Sequence, residues 1–413
     1  MKDIYVVGVG MTPFGRLLDR SVYDLVGEAV SLALQDAGCG TADIGSAFYA
    51  TLTNGQFQGQ TAIPGPIAMR RLGIEGIPVF SVENACASGS SAFNLATLAL
   101  RAGSCDIALA VGAEKMNIAD KARMFAAFDG GWDVATVEQN KAALLALGEG
   151  VVPPPGSTSD KPYSVFMDVY AALCRHHMTT YGTTQRQIAA VAAKNHRHSV
   201  HNPLAQFREP FSIEQVLASA PIAYPLTLLM CSPISDGAAA VVLCNADGLK
   251  RLKNAAGRAV RVLASVVQTG SSRGIDEPDR NVAHLAAKKA YEQAGVAPGD
   301  VNVAEVHDAT AMGEILNVES LMLLPFGAAG PAAERGDLTV GGCMPVNPSG
   351  GLESKGHPIG ATGLGQIHEL VTQLRGEAGA RQVGQARIAI QENGGGLYGI
   401  EEAVVAVTIL ARR

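Results

Sequence analysis

The segment Ala33-Leu34-Gln35-Asp36-Ala37-Gly38 closes a helical pattern that opens at Val22, and Lys289-Ala290-Tyr291-Glu292-Gln293-Ala294-Gly295 closes another that opens at Val282. The surroundings of the two are alike. Ahead of the first lies the β-branched run from Ile4 to Val9; ahead of the second lies the run from Val260 to Val267. After each glycine comes a short turn, Ala42-Asp43-Ile44 or Pro298-Gly299-Asp300-Val301, and then a second strand pattern, Ser46 to Ala50 or Val303 to Val306. Strand, helix and strand in that order, twice over, predict an α/β protein built from two similar halves, with parallel sheets and helices packed on them.

We place the halves at 1–255 and 256–413, the first containing an inserted lobe at 117–225 whose texture differs. Pro153-Pro154-Pro155-Gly156 breaks any helix there. Two helices are expected around 163–181 and 184–201, and a long insertion of this kind commonly covers a substrate.

Composition agrees with two packed units. At 413 residues the chain exceeds an ordinary domain, and 47% hydrophobic content excludes a disordered one. A net charge of −6 with 5% aromatics argues against nucleic-acid binding. No uninterrupted apolar run is long enough to span a membrane. The opening MKDIYVVGVG lacks the apolar region and cleavage site of a signal peptide, and Ala411-Arg412-Arg413 is not the peroxisomal address, so a cytoplasmic enzyme is expected. Seven scattered cysteines without a C-x-x-C pair fit reduced thiols.

Four stretches carry chemistry. Glu83-Asn84-Ala85-Cys86-Ala87-Ser88-Gly89-Ser90 follows a strand pattern at 79–82 and opens a helix running to about Arg101. A cysteine at a helix start meets free N–H groups and the positive dipole end, which lowers a thiol pKa and favours a nucleophile; a small buried core residue is the competing reading. In Gly356-His357-Pro358-Ile359-Gly360-Ala361-Thr362-Gly363 a histidine between glycine and proline is poorly placed for packing and well placed to accept a thiol proton. His307-Asp308 ends a strand pattern, where polar groups often sit at a site mouth. Glu392-Asn393-Gly394-Gly395-Gly396 follows the strand expected at 387–390, and its glycines can present bare N–H groups to an oxyanion or simply form a turn.

Other signals are set aside. Gly8-Val9-Gly10 lacks the third glycine of a dinucleotide fingerprint, Pro13 standing there. His196, His198 and His201 make no metal set, because the first two face different ways on a helix, and we expect no metal. His176-His177 is expected on a helix surface or interface.

Together, Cys86, the GHPIGATG loop and the C-terminal glycines resemble the thiolase superfamily over nearly the whole chain. The finer resemblance is to sterol-carrier-type thiolases, through His307-Asp308, NPSGGLESKGHPIGATG, residues 176–208 and Cys231-Ser232-Pro233-Ile234-Ser235-Asp236-Gly237. It implies a five-layered αβαβα subunit. It further implies Cys86 as the acyl-accepting nucleophile, His357 as its base, and His307 in one oxyanion hole. The Cys86 and Gly394 N–H groups would form the other hole, with Ser232 against the pantetheine arm. Coenzyme A would enter as substrate or product, with no permanently bound cofactor, and the 117–225 lobe would grip it. A homodimer or homotetramer is implied, as is a small zinc-ribbon/OB-fold partner protein seen with some relatives.

The sequence departs from the family at its second cysteine, the acid/base of carbon–carbon bond formation. The two positions where the family carries it hold Glu392 and Ala309. Glu392 is one expected replacement and Cys343 another. The expected activity is acyl transfer from acyl-coenzyme A in lipid metabolism, with Claisen condensation or thiolysis if the acid/base is replaced. A retro-aldol lyase and a partner-dependent subunit are the alternatives.

Overall fold

The computed structural model of the protein describes residues 2–252 and 255–413. In its first half, β1 (Ile4–Met11) leads into α1 (Val22–Ala37), which Ser21 and Asp24 cap reciprocally and Gly38 closes at φ 64°. There follow β2 (Ser46–Ala50), β3 (Val79–Val82), α2 (Ser88–Ala102) and β4 (Ile107–Glu114). The inserted segment contributes α3 (Val165–Tyr181), α4 (Gln185–Ser199) and the small hairpin β5 (Pro221–Ala223) and β6 (Leu226–Thr227), before β7 (Gly237–Asn245) returns to the sheet. The second half holds β8 (Val260–Thr269), α5 (Val282–Ala294), β9 (Val303–Glu305), α6 (Ala311–Ser320), α7 (Ile359–Arg375), β10 (Ile388–Tyr398) and β11 (Glu401–Arg412). Gly295 ends α5 at φ 68°, as Gly38 ends α1.

Nine strands run in the order β3-β2-β4-β7-β1-β8-β11-β10-β9. The two halves meet where β1 pairs with β8 through only Tyr5–Arg261 and Val6–Val260. The expectation of parallel sheets needs correction. Strands β2, β3 and β4 are mutually parallel, as are β9 and β10, but the remaining neighbours are antiparallel. Gly399-Ile400 is too short a link between β10 and β11 for any crossover, so that pair can only be a hairpin. The strand expected at 387–390 also runs on to Tyr398, carrying all three glycines inside the ladder rather than in a turn.

Helices α2 and α7 form the middle layer. Phe93, Ala96 and Leu100 interdigitate with Leu364, Ile367 and Leu370, between Phe48 and Leu243 of one half and Val262 and Leu410 of the other. Helix α1 covers the outer face of the first half, and α4, α5 and α6 that of the second. Layers therefore alternate αβαβα. Gly8 and Gly10 let α1 lie directly on β1, since a Cβ at either would come within 2.2 Å of an α1 carbonyl. That close approach gives the glycine pair a packing role.

Candidate active site

Three elements deliver the reactive side chains to one point: the turn before α2, the end of β9 and the loop before α7. Cys86 lies two residues ahead of α2, after Ala85 in the left-handed region at φ 48°. Such a conformation in a residue with a Cβ costs on the order of 1–2 kcal/mol. Local bonds hold it: Glu83 accepts from the Ala85 N–H at 2.6 Å, and Ser88 donates to the Ala85 carbonyl at 2.6 Å. Gly395 backs the turn, since a Cβ there would meet the Asn84 carbonyl at 2.2 Å.

The sulfur of Cys86 and one ring nitrogen each of His307 and His357 lie within 4.8 Å of one another. The two imidazoles meet edge to face with centroids 5.2 Å apart. This spacing also suits a soft metal ion, but among the described residues no further histidine, cysteine or carboxylate joins the three. His357 is fixed from two sides. Its backbone N–H donates to Ser235 Oγ at 2.9 Å, and its Nδ1 lies 2.7 Å from Thr362 Oγ1. The Thr362 hydroxyl donates to the Pro358 carbonyl, so its oxygen accepts from Nδ1–H and leaves Nε2 as the basic nitrogen. His307 differs: both of its ring nitrogens are buried without a hydrogen-bond partner. An orphaned, buried imidazole facing a cavity is a group awaiting a ligand.

Burial sets the charge state. It pushes His307 down to about 4 and His357 well below its ordinary value, the latter with help from His307 and Lys355, so both rings are neutral bases near pH 7. The thiol of Cys86 is pushed up to about 12, by burial first and then by Glu114. The depressed thiol expected from the helix start is therefore not found, because desolvation outweighs a dipole whose first turn begins beyond the cysteine. The cluster therefore holds a thiol beside two neutral imidazoles, with no standing thiolate.

A buried ionic frame holds the His357 loop. Glu305 accepts from the Ser349 N–H and hydroxyl and pairs with Lys355 at 3.0 Å. Asp308 accepts from the Leu352 N–H at 2.8 Å and from Asn195 at 3.1 Å, while Lys194 pairs with Glu314 at 2.7 Å. Asp308 thus braces the single wide helical turn Gly351–Lys355 and does not join the reactive cluster.

The cluster opens on an apolar pocket of about 350 Å³. Its walls include Ser232, Ala309 and Gly394 together with Phe125, Phe128, Phe166 and Met167 of the inserted segment. Glu392 is not among the wall residues; its Oε2 accepts the His307 N–H at 3.0 Å, behind the ring. Cys343 is exposed and away from the pocket. His177, expected at a helix surface or interface, is buried at an interface between Thr183 at 2.7 Å and Glu319 of α6 at 3.1 Å. His196 and His198 serve structure, bonding the Leu229 and Asn347 carbonyls. The sequence reading missed Thr362, Ser235, Tyr170 and Glu402. Thr362 and Ser235 had a signal, each standing in a quoted motif; Tyr170 and Glu402 reach the pocket wall through tertiary packing.

Residues 4–219 match the thiolase N-terminal domain family, and residues 265–409 match the thiolase C-terminal domain-like family. The chain is 40% identical, over the whole of both proteins, to the acetyl-CoA acetyltransferase of Methanothermobacter thermautotrophicus. It is 37% identical to human sterol carrier protein 2, covering 98% of this chain and 71% of the human one. Among solved structures, an Ltp2-ChsH2(DUF35) aldolase superposes with a TM-score of 0.77 at 22% identity, over 99% of this chain and 98% of that one. Human mitochondrial 3-ketoacyl-CoA thiolase in complex with CoA superposes with a TM-score of 0.68 at 16% identity, over 100% and 98%.

Proposed function

The chain belongs to the thiolase family, and from that premise we propose that it is an acyltransferase of acyl-coenzyme A thioesters that works through an acyl group on Cys86. The observation that carries the reading is the Cys86, His307 and His357 cluster, within 4.8 Å, at the wall of an apolar pocket. His357 takes the thiol proton as sulfur attacks the thioester carbonyl. The N–H groups of Cys86 and Gly394 receive the oxyanion, and coenzyme A leaves as its thiol. The unpaired His307 receives the thioester oxygen of the second substrate. Phe125, Phe128 and Phe166 of the 117–225 lobe flank the pantetheine arm, which passes Ser232.

The subunit pairs with a copy of itself across β3. That strand is a sheet edge with Phe80 53% exposed, and the neighbouring α2 exposes Leu98 at 49%. Two copies would cover both.

Intact-protein mass after incubation with acetyl-coenzyme A and with hexanoyl-coenzyme A tests the covalent step. The wild type is expected to gain one acyl group, and Cys86→Ala none. No adduct from either thioester, in protein that still binds coenzyme A, overturns the acyl-cysteine and favours a retro-aldol lyase or a subunit needing a partner protein.

A further inference from the structure

We infer that Glu402 of β11 is the catalytic acid/base that moves the α-proton of the second acyl-coenzyme A, in the place of the family's second cysteine. The inference rests on the acyl-cysteine reading above and names the group that lets the site make or break a carbon–carbon bond. Glu402 is a wall residue of the same pocket as Cys86, His307 and His357. Its side chain lies directly over Gly394. A Cβ at that glycine would meet Glu402 Cγ at 2.7 Å and Oε1 at 3.0 Å. The absent side chain at 394 is what leaves room for the carboxyl at the wall of the pocket.

No other side chain among the described residues claims this carboxyl, which accepts only from its own backbone N–H. Its neighbour Glu401 is spent on Arg273 at 2.6 Å and on the N–H groups of Ser271 and Val282. Glu392 lies off the pocket wall, its Oε2 on the His307 backbone N–H, and Cys231, the pocket's other thiol, donates to the Thr227 carbonyl at 3.5 Å. Glu402 accepts no side-chain hydrogen bond from any described residue and borders two further hollows as well as the pocket. Burial raises its pKa, with Glu401 adding to the rise, which makes it a stronger base than an ordinary carboxylate. Its field reaches Cys86, Tyr170 and Glu392, all of which it pushes up.

The step balances. The Cα–H bond of the second thioester breaks with its proton on Glu402, and the freed pair forms the carbon–carbon bond to the acyl carbonyl. The carbonyl–sulfur bond then breaks and returns the Cys86 thiolate; His357, neutral since it gave its proton to the departing coenzyme A, relays to that sulfur the proton that Glu402 took. Run backwards, Glu402 returns the proton to the departing enolate.

Deuterium uptake into acetyl- and hexanoyl-coenzyme A in heavy water reads this proton transfer without requiring an acyl-enzyme, so it is scored apart from the mass adduct. Glu402→Gln is expected to keep the Cys86 adduct and lose exchange by about 10²–10⁴-fold. In the wild type the exchange rate is expected to rise with pH through one ionisation above the usual carboxylate range, a limb that Glu402→Gln removes. If the variant fails to fold, that limb in the wild type alone decides: its absence overturns the assignment. Exchange within threefold of wild type in Glu402→Gln overturns it too, as does loss in Glu392→Gln with retention in Glu402→Gln. A wild type that exchanges but never acylates leaves Glu402 in place and removes the acyl-cysteine instead.

Discussion

At the scale of single residues, the site is organised by what each group is prevented from doing. Burial holds Cys86 as a thiol, so the proposed acylation requires Nε2 of His357 to take its proton, and Nε2 is left free as the acceptor because Nδ1–H is tied to Thr362 at 2.7 Å. Thr362→Val keeps the shape and removes the acceptor. The ring can then carry its proton on either nitrogen, and acylation of Cys86 is expected to slow about 10–100-fold, a fraction of what a positioned base is worth. Stopped-flow acylation with mass detection checks this. A purely structural role would leave the pH profile of the acylation rate unmoved, whereas loss of the tautomer lock shifts it. Cys86 and His357 were legible in the sequence because glycine, proline and small residues around a reactive side chain leave few structural explanations. Glu402 was not, because its claim on the site comes from a missing side chain on the neighbouring strand.

Elements bring these residues together through backbone approaches closer than any side chain permits. Gly360, at the start of α7, donates its N–H to Glu114 at 2.9 Å, and Glu114 also accepts from Leu52, Thr51 and Thr53, joining α7 to β4 and the segment after β2. Gly112 on β4 faces this junction, and a Cβ there would lie 2.0 Å from the Gly360 carbonyl oxygen and 2.9 Å from Ala361 Cα. Both obstacles are backbone, so the helix must move. Gly112→Ala is expected to lower stability by at least about 2 kcal/mol in urea unfolding and to slow acylation, since the start of α7 carries His357. Gly299→Ala, where nothing lies within 4 Å, is the control and is expected to be neutral. Helices α1 and α5 were readable residue for residue because their periodicity, caps and closing glycines are local. The course of β10 through three glycines was not, since its strand character is imposed by pairing with β11.

For the whole molecule, two repeated halves could be read from the sequence, but the mixed sheet joining them could not, because strand order is decided by contacts far apart in the chain. The same long-range packing buries polar groups that any periodicity would assign to surface, and this gives the fold a pH dependence. His198 on α4 joins the inserted segment to the His357 loop: Nδ1–H donates to the Asn347 carbonyl at 3.0 Å, and Nε2 accepts from the Val340 N–H at 3.2 Å. That pattern fits only a neutral ring. Burial, with Lys194 and then Arg197 nearby, pushes its pKa down to about 3. In the unfolded chain the ring takes a proton near 6.5, so between these values the unfolded state binds more protons. The contribution of His198 is therefore complete above pH 6.5 and is lost as the pH falls toward 3, by at most about 1.4 kcal/mol per pH unit. Buried carboxyls such as Asp308 and Glu353, held well above their ordinary range, act in the opposite direction. The histidine effect must consequently be read as a difference between proteins. Urea unfolding of wild type and His198→Asn is expected to show a stability gap that is widest at pH 7 and narrows steadily by pH 5. A gap independent of pH would mean that the ring takes up its proton in the fold as readily as in the unfolded chain, against the two hydrogen bonds that define it.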